Sequence, residues 1–249
     1  MLIKGRVLEA LHGREGELRR AASEVSESLT RYREAFSRMQ RMPNEEIQEC
    51  IGGVDWPGAL PTSELDTRGA IIPFGATWSS APEARAWALN ILRGTPTAAV
   101  DGSQIAASKE FNVPISLVQV AWFENPHVED LRYEKDLRVE IVLRPTMDDD
   151  AGDFAFTESL VNLARFTTEM DVAAECAQRM NPVAAGVVFT DGSFVLSFTG
   201  RMPPTTRSAY LAALLRLMDA SRDGRVPVVG YIDLSYASDL CGLLGTAFD

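Results

Sequence analysis

Histidine, cysteine, basic charge and long apolar runs are all scarce in this 249-residue chain. Its two histidines, His12 and His127, have no cysteine or second histidine at ligand spacing, so no zinc site can be read. The three cysteines, Cys50, Cys176 and Cys241, are odd in number and far apart, which excludes a disulfide framework and points to a reducing, cytoplasmic setting. No apolar run approaches the roughly 18 residues a membrane helix needs. Lys4, Arg6 and Glu9 interrupt the stretch where a signal peptide would carry its apolar core, so no membrane partner is expected. Lys and Arg total 24 against 35 Asp and Glu, a net charge of −11. A protein that grips nucleic acid unaided presents a basic surface. Here such binding is either absent, or local, metal-assisted or lent by a partner. Several phosphate and acyl chemistries lack their motifs too. There is no Gly-Lys-Ser/Thr loop after a strand and no Gly-x-Ser-x-Gly elbow. Ala99 and Phe189 stand where a dehalogenase-type phosphatase needs its nucleophilic aspartate.

What the chain does have is a repeated stretch. Residues 97–103 read Thr-Ala-Ala-Val-Asp-Gly-Ser, and residues 187–193 read Val-Val-Phe-Thr-Asp-Gly-Ser. Each is a short apolar strand that ends in an aspartate at a Gly-Ser turn. Asp-Gly between apolar runs is also the commonest hairpin signal, so Asp191-Gly192 has a plain structural alternative. Asp101-Gly102 has less of one, because residues 104–108 are not an obvious hairpin partner. If the two strands are neighbours, their carboxylates lie within a few ångströms, an arrangement that calls for a cation or a shared proton.

Around this pair the chain reads as follows. Residues 6–41 form a long helix whose seam, Leu18, Ala22, Val25, Leu29, Tyr32, Phe36 and Met39, steps by fours and threes. That seam serves either a dimer or partner interface, or packing onto its own domain. Gly13 and Gly16 weaken its start. Residues 43–80 read as an irregular connection, and Pro82 opens a helix to Leu92. Strands follow at 97–101, 115–123 and 137–143, then a helix at 153–180. A strand at 183–190 is expected to turn at Asp191-Gly192 into a hairpin partner at 194–198. A helix at 205–221, a strand at 226–234 and a short terminal helix complete the chain. Asp148, Asp149 and Asp150 read as a solvated loop rather than a metal site. Strands followed by helices, without regular βαβ alternation, predict an α/β chain with an RNase H-like mixed sheet flanked by helices.

The chain resembles the NurA nucleases, partners of the hexameric HerA translocase. The resemblance rests on residues 98–103 (Ala-Ala-Val-Asp-Gly-Ser), on Arg165-x-x-x-Glu169 leading into 187–193, and on Gly230-Tyr231-Ile232-Asp233. It divides the chain into an N-terminal region, 1–94, and a nuclease core, 95–249. It implies an RNase H-like fold, a homodimer, and a divalent ion, Mn²⁺ or Mg²⁺, held by an aspartate from each strand and a helix glutamate. Carried across, Asp101 and Asp191 take the aspartate positions and Glu169 the glutamate, with Glu158 and Glu175 as neighbours that could replace it. Glu169 has a plain alternative as the partner of Arg165. Tyr231 matches a tyrosine near the family site, or is an ordinary half-buried strand aromatic. The family pattern also includes a histidine further along, which has no counterpart in this sequence. The implied activity is a metal-dependent DNA nuclease, an exonuclease on DNA ends, working with a HerA-like ATPase in repair or defence. Lys109, Arg201 and Arg207 are candidate phosphate contacts. From another class, the alternative is a catalytically impaired adaptor that docks on the ATPase ring.

Overall fold

Alternation decides which face of the central strands is buried. In Thr97–Ile105, Ala98 and Val100 are buried while Ala99 and Asp101 are exposed. In Ile115–Asn125, Ser116, Val118 and Val120 are buried and their neighbours are not. These strands (β1 and β2) pair antiparallel along their length, and β2 pairs antiparallel with Glu134–Leu143 (β3). On the other side β1 runs parallel to Val187–Asp191 (β4), which runs parallel to Val228–Tyr231 (β5). The result is a five-stranded mixed sheet in the order β3-β2-β1-β4-β5, an α/β architecture of the RNase H-like kind. The computed structural model describes residues 3–107, 115–129, 131–143, 154–180, 186–235 and 237–248.

Helices precede, cross and follow this sheet. They are Lys4–His12 (α1), Glu15–Met39 (α2), Asn44–Cys50 (α3), Glu64–Arg68 (α4), Ala81–Leu92 (α5), Phe154–Arg179 (α6), Pro204–Gly224 (α7) and Asp239–Phe248 (α8). By packing, Trp78–Leu234 is one compact unit, and Met1–Thr77 with Ser235–Asp249 is another. In the larger unit α6 lies across β1, β2 and β4, and α7 packs on α6. Val161, Val172, Ala173, Cys176 and Ala177 of α6 meet Val118, Val120 and Val188 in one apolar cluster. In the smaller unit Ala35 and Met39 of α2 join Ile47, Ile51, Leu243 and Leu244.

Four expectations change. Residues 43–80 hold two short helices, α3 and α4, because Ile47 is fully buried and Glu45 and Glu46 sit in the first turn of α3, where carboxylates suit the helix dipole. The 6–41 helix is two helices, since the chain turns at Gly13 and Arg14 before α2 begins. The hairpin expected after Asp191 does not form. Both edges of β4 are taken by parallel partners, and the following chain winds into a 3-10 turn, Ser197–Arg201. Nor does β1 end at Asp101. The antiparallel ladder with β2 continues from Asp101 through Ile105, so Gly102 is a strand residue rather than a turn. Among the described residues no helix is long and apolar enough to cross a membrane. All three cysteines are free.

Candidate active site

Asp101 and Asp191 sit on adjacent parallel strands. Val100 pairs with Thr190, so the next residue of each strand is an aspartate, and the two stand about one strand spacing, ~4.8 Å, apart. The register continues on both sides: Asp191 pairs with Tyr231, Asp101 with Ala121, and Ala121 with Leu137. One row therefore runs Leu137, Ala121, Asp101, Asp191, Tyr231. Ala98, Val100 and Val188 face α6, so alternation puts the row on the opposite, open face. It floors a depression of about 780 Å³ whose other lining residues include Phe123, Lys135 and Phe189.

Glu169 approaches from α6. A Cβ on Gly102 would stand 2.1 Å from the Glu169 Oε1 and 2.9 Å from its Cγ, so the absence of a side chain at 102 is what admits the carboxyl. The Glu169 side chain is only 12% exposed. Burial pushes its carboxyl up to about 7, and the negative fields of Asp101 and Asp191 add to that, while Arg165 and the Gly102 amide oppose it. Arg165 spans the same point, with its Nη1 donating to the Gly102 carbonyl at 3.4 Å and its Nε 3.7 Å from Glu169 Oε1. An i,i+4 pair of this kind is worth a few tenths of a kcal/mol. That is too little to offset the desolvation, and the net shift is upward.

The other named residues lie elsewhere. Glu158 is exposed on α6. Glu175 takes both its oxygens to Arg138 Nη2, at 3.0 and 2.8 Å, and faces Arg179 as well. Arg201 and Arg207 are exposed and do not line the depression. His127 is held by Thr97 at the far end of β1, at 3.0 Å. Lys109 and Asp148 to Asp150 lie outside the described residues. No local sequence signal marks Phe123 or Lys135 as site residues. Alternation in β2 puts Phe123 on one face with Ala121, but only the pairing of β1 with β2 says that this is the face of Asp101.

The donor set fits a divalent cation with hard-oxygen preference. Two carboxylates stand in register, and neither is in an ion pair among the described residues. A third carboxyl is near enough to feel both. Among the described residues, no three Asp, Glu, His or Cys side chains already stand close enough to share one ion. Glu169 is turned to Gly102 and Arg165 instead.

Sheet order and acidic row together place the chain in the RNase H-like class. Within that class it belongs to the NurA nuclease family: the family's NurA domain matches residues 95–248. Of the solved structures, the foamy viral protease-reverse transcriptase in complex with dsDNA is similar at 14% identity and a TM-score of 0.33, over 63% of this chain and 94% of that one. A score that low defines no shared fold. No curated protein matches the sequence.

Proposed function

We propose that this chain is a metal-dependent deoxyribonuclease that hydrolyses phosphodiester bonds at DNA ends as an exonuclease. The observation that carries the reading is the placement of Asp101 and Asp191 in register on an open sheet face. Two unit charges about 4.8 Å apart repel by about 1 kcal/mol in water, and several-fold more where protein excludes it. Among the described residues no side-chain cation forms an ion pair with either. Asp101 and Asp191 would hold Mn²⁺ or Mg²⁺, with Glu169 as the third carboxylate of the set. A bound ion of this type polarises a phosphoryl oxygen and makes water a better nucleophile at neutral pH. The chain's own residues do the rest. Glu169, whose carboxyl is raised to about 7 by burial without the ion, would give up its proton when it joins the set. Arg165 steadies Glu169 and the Gly102 carbonyl. The Tyr231 hydroxyl, next to Asp191, offers a donor to a phosphate oxygen.

Membership of the family supports the wider assignment. It is a cytoplasmic homodimer, served by a HerA-like hexameric ATPase that feeds it DNA for end resection in repair or defence. A feeding partner also accounts for a substrate-binding protein with a charge of −11. The second reading, an impaired adaptor that docks on the ring, is favoured by one observation, the lack of a ready three-carboxylate cluster among the described residues. Digestion of linear DNA with Mn²⁺ tests the first reading. The wild type should degrade it and Asp101→Ala and Asp191→Ala should not. Calorimetric titration with Mn²⁺ separates the two readings, since an adaptor has no reason to bind the ion through these aspartates.

A further inference from the structure

The open face beside the carboxylates carries aromatic rings whose exposure packing inside the larger unit does not remove. Phe123 stacks on Tyr133 with centroids 4.7 Å apart and planes at 27°, yet the two residues stay 39% and 56% exposed. Across the carboxylate pair Tyr231 is 58% exposed. Register sets the spacing. Phe123 pairs with Ala99, two residues before Asp101, which makes it a diagonal neighbour of Asp101 at about 8 Å. Tyr231 pairs with Asp191, about 4.8 Å away across one strand gap. An aromatic surface therefore stands on each flank of the pair, about one nucleotide step from it. Lys135 pairs with Phe123 and lines the same depression, and it forms no ion pair among the described residues.

The chemistry of this face selects between forms of nucleic acid. A duplex turns its base faces inward and presents phosphate, for which this lining offers one lysine against Asp101, Asp136 and Asp191. An unpaired strand presents π faces, and aromatic side chains stack on those without regard to sequence. We infer that Phe123 with Tyr133 on one flank, and Tyr231 on the other, form a base-stacking platform that seats unpaired nucleotides on either side of the scissile phosphate. The nuclease thus takes single-stranded or frayed ends in preference to closed duplex. Lys135 meets the backbone phosphate next to the base on Phe123. This inference rests on the nuclease reading above.

The test uses the full chain, a fluorescein-labelled single-stranded 20-mer and the same sequence as a blunt duplex. Phe123→Leu keeps the apolar volume and removes the ring face. It should raise KM for the single strand by about tenfold with kcat within about twofold, and Phe123→Trp should restore it. Tyr133→Ala should act in the same direction. A single strand with one abasic nucleotide flanking the cleaved bond should be handled poorly by the wild type, and no worse by Phe123→Leu. An unchanged KM in Phe123→Leu, or an equal abasic penalty in both proteins, overturns the proposal. So does a Phe123→Leu variant that alters oligomer mass by light scattering while its KM stays put, because the face then belongs to a second copy. Anisotropy of the labelled strand with the Asp101→Asn protein keeps the two readings apart. If the wild type cleaves neither substrate yet Phe123→Leu still weakens binding, the nuclease reading fails and the platform stands.

Discussion

Glu169 is the residue whose ionisation the fold controls most strongly, and its behaviour makes a signed prediction. Its carboxyl titrates near 7 in the folded protein against 4.5 as an ordinary glutamate, burial being the main cause. Between those values the folded state binds more protons than the unfolded chain, so stability falls as pH rises. The contribution is fully present below about pH 4.5 and is lost as pH passes through 7. Without added metal, denaturant unfolding at pH 5 and pH 8 should show a wild-type loss of up to about 3 kcal/mol that Glu169→Gln largely lacks. Asp101 and Asp191 are exposed and face each other across one strand gap. Asp101→Asn and Asp191→Asn should each abolish Mn²⁺-dependent cleavage while the metal-free melting temperature holds or rises, since each removes one of two facing charges. A melting temperature that collapses in both would make the pair structural.

Among the elements, two glycines tie the strands to the site, and they should respond differently to a methyl group. At Gly230 in β5 a Cβ would stand 2.5 Å from the backbone oxygen of Gly192, and the Gly192 amide donates to the Tyr231 carbonyl at 2.8 Å. Backbone cannot swing aside, so Gly230→Ala should push β4 and β5 apart, cost about 1–3 kcal/mol and lower activity through Asp191. At Gly102 the obstructing atoms belong to the Glu169 side chain, which can rotate. Gly102→Ala should therefore cost little stability, yet flatten the pH dependence by moving the carboxyl out of its buried seat. Thermal melts of the two variants, with unfolding at two pH values for the second, would check this contrast.

At the scale of the whole molecule, charge and exposed apolar surface govern. A chain at −11 should bind DNA weakly on its own, and lose that affinity as salt rises. In α2 the end of the seam is occupied, with Met39 buried and Tyr32 and Phe36 packed in the cluster formed with α3 and α8, whereas Leu18, Val25 and Leu29 remain exposed. The proposed homodimer offers those three a cover. Val25→Glu should then convert a dimer into a monomer by light scattering without unfolding α2, because Val25 is 68% exposed. A HerA-like ATPase should raise nuclease activity substantially. A monomeric wild type whose activity ignores the ATPase would remove both parts of the assembly proposal.

Period and punctuation carried much of the fold into the sequence. The apolar runs of 97–101 and 115–123 and the helical stripe of 153–180 mark local preferences that each segment expresses by itself. They place β1, β2, α6 and α7 within a few residues of their observed ends. The same local character made Asp101 and Asp191 visible, as carboxylates following apolar runs. Pairing was not legible, because strand partners are chosen by burial of whole faces rather than by any one segment. Asp191-Gly192 reads as a hairpin until both edges of β4 are filled by β1 and β5. Register is a property of two strands, so only the assembled sheet sets Asp101 beside Asp191, Tyr231 beyond them and Phe123 on the same face. The Glu169 carboxyl becomes unusual only when α6 carries it under Gly102, where water is excluded and two other negative charges are near.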